Sequence, residues 1–327
     1  MMALLVILIT SVIALLAEVF KFKKVLYALS LVGIALAMAA NLKEWNNNFS
    51  WKYSDNMVMF DNLALAFSFV LLITVFLWFL MSRLYFSEET SLVEHTSLVL
   101  FSLIGGMMLV SFNNLVSLFL GIEILSIPMY VLAASNKKNI LSNEAGFKYL
   151  IMGSFASGFL LFGIALLYGA AGSLSLADVQ LALSTDKVPS FAYTGIVMVL
   201  VALAFKVSLA PFHFWTPDVY EGSPVVITAL MSTLVKTSVF VAVMKLFLWY
   251  FYPAYEHYVH LVAGLIVLSL VIANFSALKQ TNVKRLLAFS SISHASIMMM
   301  LIIADIRNAS TVNALLYYSF AYSVASV

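Results

Sequence analysis

Apolar runs of about 20 residues, the length that crosses the hydrocarbon core as a helix, follow one another from Met2 to Val327. Only helices and closed barrels satisfy every backbone polar group in lipid. The runs are continuous rather than alternating, which excludes a barrel. They fall at 2–20, 25–41, 60–82, 96–112, 115–134, 145–170, 190–214, 224–250, 260–278, 286–304 and 311–327. About eleven spans thus fill the chain as one transmembrane domain, 1–327, with no second, soluble unit. The fold class is an all-α polytopic membrane protein embedded in the lipid bilayer.

Composition agrees: 63% of residues are hydrophobic and 10% charged, against about 25% charged in soluble domains. Seventeen basic residues against fifteen acidic ones leave a net charge of +2, no footprint for nucleic acid or an acidic substrate. The absence of cysteine excludes disulfides, thiolate zinc sites and iron–sulfur clusters. Electrons of any linked redox reaction must travel through a partner. The patterns G-x-G-x-x-G, P-loop and H-E-x-x-H are absent too, so no nucleotide or zinc site is readable.

The first apolar run precedes its basic cluster, Lys21, Lys23 and Lys24, the reverse of a signal peptide, so it reads as a retained span. If the spans alternate, that cluster shares one side with Lys137, Lys138, Lys279, Lys284 and Arg285. The opposite loops, with Lys43, Glu44, Lys52, Asp55, Asp178, Asp186, Lys187, Glu256 and His257, carry less positive excess. The positive-inside rule then puts the N-terminus outside. The last run stops at Val327 without cap, charge or loop, as in a fragment cut within a helix.

Ionisable residues deep in such runs are costly and mark function. Glu123 is central in the fifth span, Lys206 near the middle of the seventh, Lys236 central in the eighth and His294 in the tenth. The turn between the seventh and eighth spans centres near Glu221, 15 residues from each lysine, so antiparallel neighbours place both lysines at similar depth. One carboxylate, two ammonium groups and an imidazole near one plane form a candidate proton path. A bundle-locking ion pair for Glu123 and a packing role for His294 are the bland alternatives. Lys148, about a turn inside its span, and Lys245, near a span's end, have stems long enough to snorkel to the interface.

The stretch 206–224 reads K-V-S-L-A-P-F-H-F-W-T-P-D-V-Y-E-G-S-P. Pro211 removes a backbone donor just after Lys206, so the seventh helix is expected to be discontinuous there. On the sixth span, Gly153/Ser157 and Ser154/Gly158 have the small-xxx-small spacing of close helix packing, with no chemistry implied.

Stretch 206–224 followed by Lys236, the segment V-K-R-L-L-A-F-S-S-I-S-H at 283–294 and the mid-helix Glu123 resemble the antiporter-like subunits of respiratory complex I. That family includes Mrp-type cation/proton antiporter and membrane-bound hydrogenase subunits. The T-P-D-V-Y-E-G-S-P wording and E-A-G-F-K-Y-L at 144–150 look most like bacterial N-type subunits, and the likeness runs from about residue 60 to 327.

What the resemblance implies is a half-channel proton pump in a bacterial inner membrane. Glu123 modulates Lys206 on the broken seventh helix, Lys236 bridges onward, His294 relays, and Lys148 matches a lysine of N-type subunits. Members carry about fourteen helices of spanning length, so the last helices would be missing here. By the same resemblance the partners are other membrane-arm subunits. NADH, flavin, iron–sulfur clusters and quinone belong to those partners, and this chain binds no cofactor. A gradient-driven Mrp-type antiporter subunit and a non-conducting assembly scaffold are the alternatives.

Overall fold

In the computed structural model the described residues are 1–17, 23–46, 57–86, 92–185, 187–304 and 309–327. Lys21, Lys52, Asp55 and Asp186, used above for orientation, lie outside them, as does the end of the first run. Among the described residues the regular structure is helical, apart from two isolated β-bridges. The first six helices are α1 (Met2–Leu16), α2 (Lys23–Glu44), α3 (Asn62–Phe86), α4 (Leu92–Ser111), α5 (Leu115–Ala133) and α6 (Ile140–Ala171). Then come α7 (Leu176–Leu183), α8 (Ser190–Lys206), α9 (Trp215–Gly222), α10 (Val225–Tyr250), α11 (Tyr255–Ala277), α12 (Val283–Ile302) and α13 (Ala309–Ser326).

Eight of these are long and apolar enough to cross a membrane: α2 to α6, α10, α11 and α12. The apolar helices α1 and α8 are shorter. α13, rich in Ser and Tyr, is not among the eight. The structure is thus a polytopic helical membrane protein, with eight long apolar spans among the described residues where about eleven were expected.

Local chemistry explains the helix ends near the site. Asn114 opens α5 with a reciprocal capping box, its side chain accepting from Val116 N while Ser117 Oγ accepts from Asn114 N. Asn139 and Asn282 accept from the second residues of α6 and α12. Gly172, at φ +68°, closes α6 in the left-handed conformation that glycine adopts without cost.

α4 and α10 lie at the centre, whereas α11 shows most of its surface outward. α4 packs closely along α5 because Gly105 faces the backbone of Ile124 and Leu125 and leaves no room for a side chain. α6 lies against α5, α8 and α9, and α12 against α9 and α11.

α10 is α-helical except for two π-turns, Met231–Val235 and Lys245–Tyr250. Lys236 follows the first directly and Lys245 begins the second. Such wide turns concentrate at functional sites.

α8 stops at Lys206, five residues before Pro211. The Leu209 N–H donates to Ala204 O and the Ser208 N–H to Phe205 O, with Ser208 at φ +67°. These two bonds make a Schellman closure in which serine stands where glycine is usual. Trp215, first residue of α9, donates its indole N–H back to Phe205 O at 3.1 Å. Ser269 Oγ of α11 accepts from Ala210 N at 2.8 Å. The chain between α8 and α9 is therefore a fastened connection.

Candidate functional site

Glu123, Ser126 and Tyr130 are spaced i, i+3, i+7 and share one face of α5. The buried Lys206, 3% exposed at the last turn of α8, donates to two of them: Ser126 Oγ at 3.0 Å and Tyr130 Oη at 2.8 Å. Pro128, between these two, cannot donate to the Ile124 carbonyl and interrupts the α5 ladder beside the lysine. Glu123 makes no direct ion pair with Lys206; its Oε1 accepts from Ser157 Oγ of α6 at 2.5 Å. Gly153, one turn earlier on α6, lies against the Tyr130 hydroxyl, where any side chain would overlap it. The pair Gly153/Ser157 therefore meets the α5 stripe, while Ser154 and Gly158 face outward.

An aromatic row leads away from Lys206. Tyr130 meets Tyr149 edge-on at 4.6 Å, Tyr149 stacks on Trp215 at 4.6 Å, and Trp215 meets Tyr220 at 6.2 Å. A groove of about 850 Å³ reaches Tyr130 from the rim formed by Glu94, His95, Lys137 and Lys138.

Lys236, 1% exposed, is held by α12: its Nζ donates to Ser291 O at 2.8 Å and to Ser291 Oγ. Tyr322 of α13 donates to the same Ser291 Oγ at 3.1 Å, and its ring lies 5.0 Å from that of His294. His294 Nδ1 shares a 2.7 Å hydrogen bond with Tyr318 Oη. Tyr318 and Tyr322, at i, i+4 on α13, thus connect His294 with the Lys236 cradle. Neither tyrosine carries a charge that marks it in the sequence; two tyrosines one turn apart in the final run are the available signal.

Both central lysines rest on neutral oxygens. A hydroxyl accepts from an ammonium group and, rotated, donates to a neutral amine, so it serves both protonation states.

Lys148 and Lys245 differ from this pattern. Lys148 pairs with Glu144 Oε1 at 2.6 Å and Asp218 Oδ2 at 2.9 Å, with 38% of its side chain exposed. Arg285 of α12 binds Asp218 and Glu221 of α9 at 2.8 and 2.9 Å. This network ties α6, α9 and α12 around a cavity of 190 Å³. Burial raises the Asp218 pKa, but the hydrogen bonds and charges of Lys148 and Arg285 more than reverse this and hold it below the usual value. Lys245, by contrast, does not snorkel. It is 4% exposed and donates to Val110 O at 3.0 Å and Phe112 O at 3.3 Å, capping the end of α4. Cations stabilise that end of a helix dipole.

Among the described residues no three His, Asp or Glu side chains converge as a metal site. The sequence profile of the NADH:quinone oxidoreductase/Mrp antiporter transmembrane family matches residues 111–327, which include every residue from Glu123 to His294. The chain belongs to that family.

Relatives within the NADH:quinone oxidoreductase/Mrp antiporter family include NADH-quinone oxidoreductase subunit N of Flavobacterium psychrophilum. It is 42% identical over 97% of this chain and 69% of its own length. Subunit N of Cytophaga hutchinsonii is 40% identical, over 100% of this chain and 70% of its own. The likeness therefore covers more of the chain than the 60–327 expected. A chain of respiratory complex I from Thermus thermophilus, solved with bound aureothin, superposes with a TM-score of 0.81 at 31% identity, covering 99% of this chain and 69% of that one. An archaeal membrane-bound sulfane sulfur reductase shares the fold, with a TM-score of 0.87 at 24% identity over 99% of this chain and 68% of its own.

Proposed function

We propose that this chain is a proton-translocating membrane-arm subunit of an NADH:quinone oxidoreductase, multi-pass in a bacterial inner membrane with its N-terminus outside. The observation that carries the reading is that Lys206 and Lys236, both buried, are held on neutral oxygens inside a member of this family. α8 and the connection through Pro211 act as the interrupted seventh span, with α9 at its surface end. Protons approach Lys206 by the groove ending at Tyr130.

The mechanism is electrostatic. An ionised Glu123 favours the charged form of Lys206, and neutralising or withdrawing that carboxylate leaves an ammonium group with only dipoles for support. Lys206 then gives up its proton towards Lys236 and onward to Tyr322 and His294. Each step biases the next because the interaction falls only as 1/εr. Lys148 acts at the surface end, where its ion pairs hold α9 to α6. The NADH, flavin, iron–sulfur clusters and quinone that supply the energy reside in partner subunits.

Lys206→Ala and Lys236→Ala, made in the intact complex and measured for NADH-driven proton pumping in vesicles, test this reading. Loss of pumping with assembly and NADH oxidation retained supports it. Unchanged pumping in both variants would leave a scaffold. A native-gel band that holds this chain with other antiporter-like chains but no NADH activity would indicate the gradient-driven antiporter.

A further inference from the structure

Ser157 stands at the meeting point of two requirements. As half of a Gly153/Ser157 packing pair it needs only to be small, and alanine would serve. Its hydroxyl nonetheless has one proton and two acceptors within reach: Glu123 Oε1 at 2.5 Å and its own helix's Gly153 O at 3.1 Å. The side chain is 8% exposed. A carboxylate placed among spanning helices needs donors, and among the described residues Ser157 is the one that donates to Glu123.

We infer that Ser157 is the positioning residue for Glu123, a hydroxyl rotor that follows the carboxylate's protonation state. With Glu123 ionised, Ser157 donates to it. When Glu123 takes a proton, the carboxylic O–H donates to Ser157 Oγ, and the hydroxyl proton turns to Gly153 O. Ser157 itself exchanges only hydrogen bonds; the one covalent change is the O–H bond that Glu123 forms with the proton it takes up, and the carboxyl group stays anchored in both states. Gly153 is also the residue that leaves room for the Tyr130 hydroxyl on Lys206, so one turn of α6 touches the partners of both the acid and the base.

The charges around Glu123 leave Ser157 this role. Tyr130 of its own helix and Lys206 of α8 are the titratable groups in electrostatic reach. On α6, Glu144 and Lys148 are engaged with each other and Asp218, and Tyr149 lies in the aromatic row. Glu94 and His95 lie in the first turn of α4. The π-turn of α10 that meets α5, Met231–Val235, carries no titratable residue, and Lys236 beyond it is held by Ser291.

The inference rests on the reading of Glu123 as a carboxylate that changes protonation during pumping. The test uses the intact complex in vesicles, with Ser157→Ala, Ser157→Cys, Ser157→Thr and Glu123→Gln. NADH oxidation, NADH-driven pumping and the infrared C=O band of the protonated carboxyl group, recognised by its loss in Glu123→Gln, are measured on each. The expected result is that Ser157→Ala and Ser157→Cys oxidise NADH but lose pumping as Glu123→Gln does. Their carboxyl band moves to higher wavenumber, and Ser157→Thr keeps both parental properties. Parental pumping with an unmoved band in Ser157→Ala and Ser157→Cys would overturn the inference and leave a packing residue. Parental pumping in Glu123→Gln would overturn the role of Glu123 itself, and that of Ser157 with it.

Discussion

The Tyr130 hydroxyl, 2.8 Å from Lys206 Nζ, occupies the space that the missing side chain of Gly153 leaves free. The lysine's setting is thus fixed from two helices: α5 supplies the oxygens and α6 the room. A hydrogen bond to a charged group is worth about 1.5–3 kcal/mol, and its loss at a transfer step slows that step about ten-fold or more. Tyr130→Phe is expected to lower NADH-driven pumping by about that factor with the complex assembled. Gly153→Ala, which displaces the hydroxyl, should do the same. Parental pumping in both, measured in vesicles, would remove Tyr130 from the path.

Lys245 is expected to matter for stability. Lys245→Met leaves Val110 O and Phe112 O without their donor, at about 2 kcal/mol. Thermal unfolding of the purified complex should move to lower temperature, with pumping per NADH unchanged in the assembled fraction. A lysine that merely snorkelled would cost nothing on replacement.

The Asp218 network predicts an acid limit. Its carboxyl is held below the ordinary value of 3.8, so its contribution is fully present above that pH and fades as pH falls through the depressed value. Asp218 is about a third exposed, which limits the effect to about 1 kcal/mol. Fluorescence of Trp215, on the same helix, should report loosening below about pH 4. Asp218→Asn should show that looser state at neutral pH with no further acid step.

Ser208 holds a left-handed conformation that costs a side-chain-bearing residue about 1–2 kcal/mol, and its buried hydroxyl has no partner to lose. Ser208→Gly is expected to raise thermal stability by about 1 kcal/mol, and Ser208→Val to lower it. Melting temperatures of the two variants decide the point.

What was legible in the sequence followed from the solvent. Lipid demands long apolar helices, so the runs announced them, and it penalises charge, so Glu123, Lys206, Lys236 and His294 stood out. The oxygens that receive the lysines did not, because Ser126, Tyr130 and Ser291 carry no charge and fit any helix. A proline is visible in a sequence, so Pro211 marks the break; the closure of α8 lies earlier, at Ser208 in glycine's usual place. Lys245 looked like a snorkelling residue because position along a span says nothing about which carbonyls face it. The spacing of the small residues on α6 shows packing alone, since it tells which residues approach closely and not what a hydroxyl among them bonds to.

The π-turn ahead of Lys236 has one more consequence. A π-turn holds one residue more than the α-turn it replaces, and each α-helical residue turns the chain by about 100°. Deleting one residue from 231–235 would restore a regular helix, and everything before it would swing by about 100° relative to the lysine. Lys236 would then keep Ser291 only by turning the first two turns of α10 away from α3 and α5. The aim of this lysine is set by a count of residues, a property that substitutions leave intact and a single-codon deletion would not.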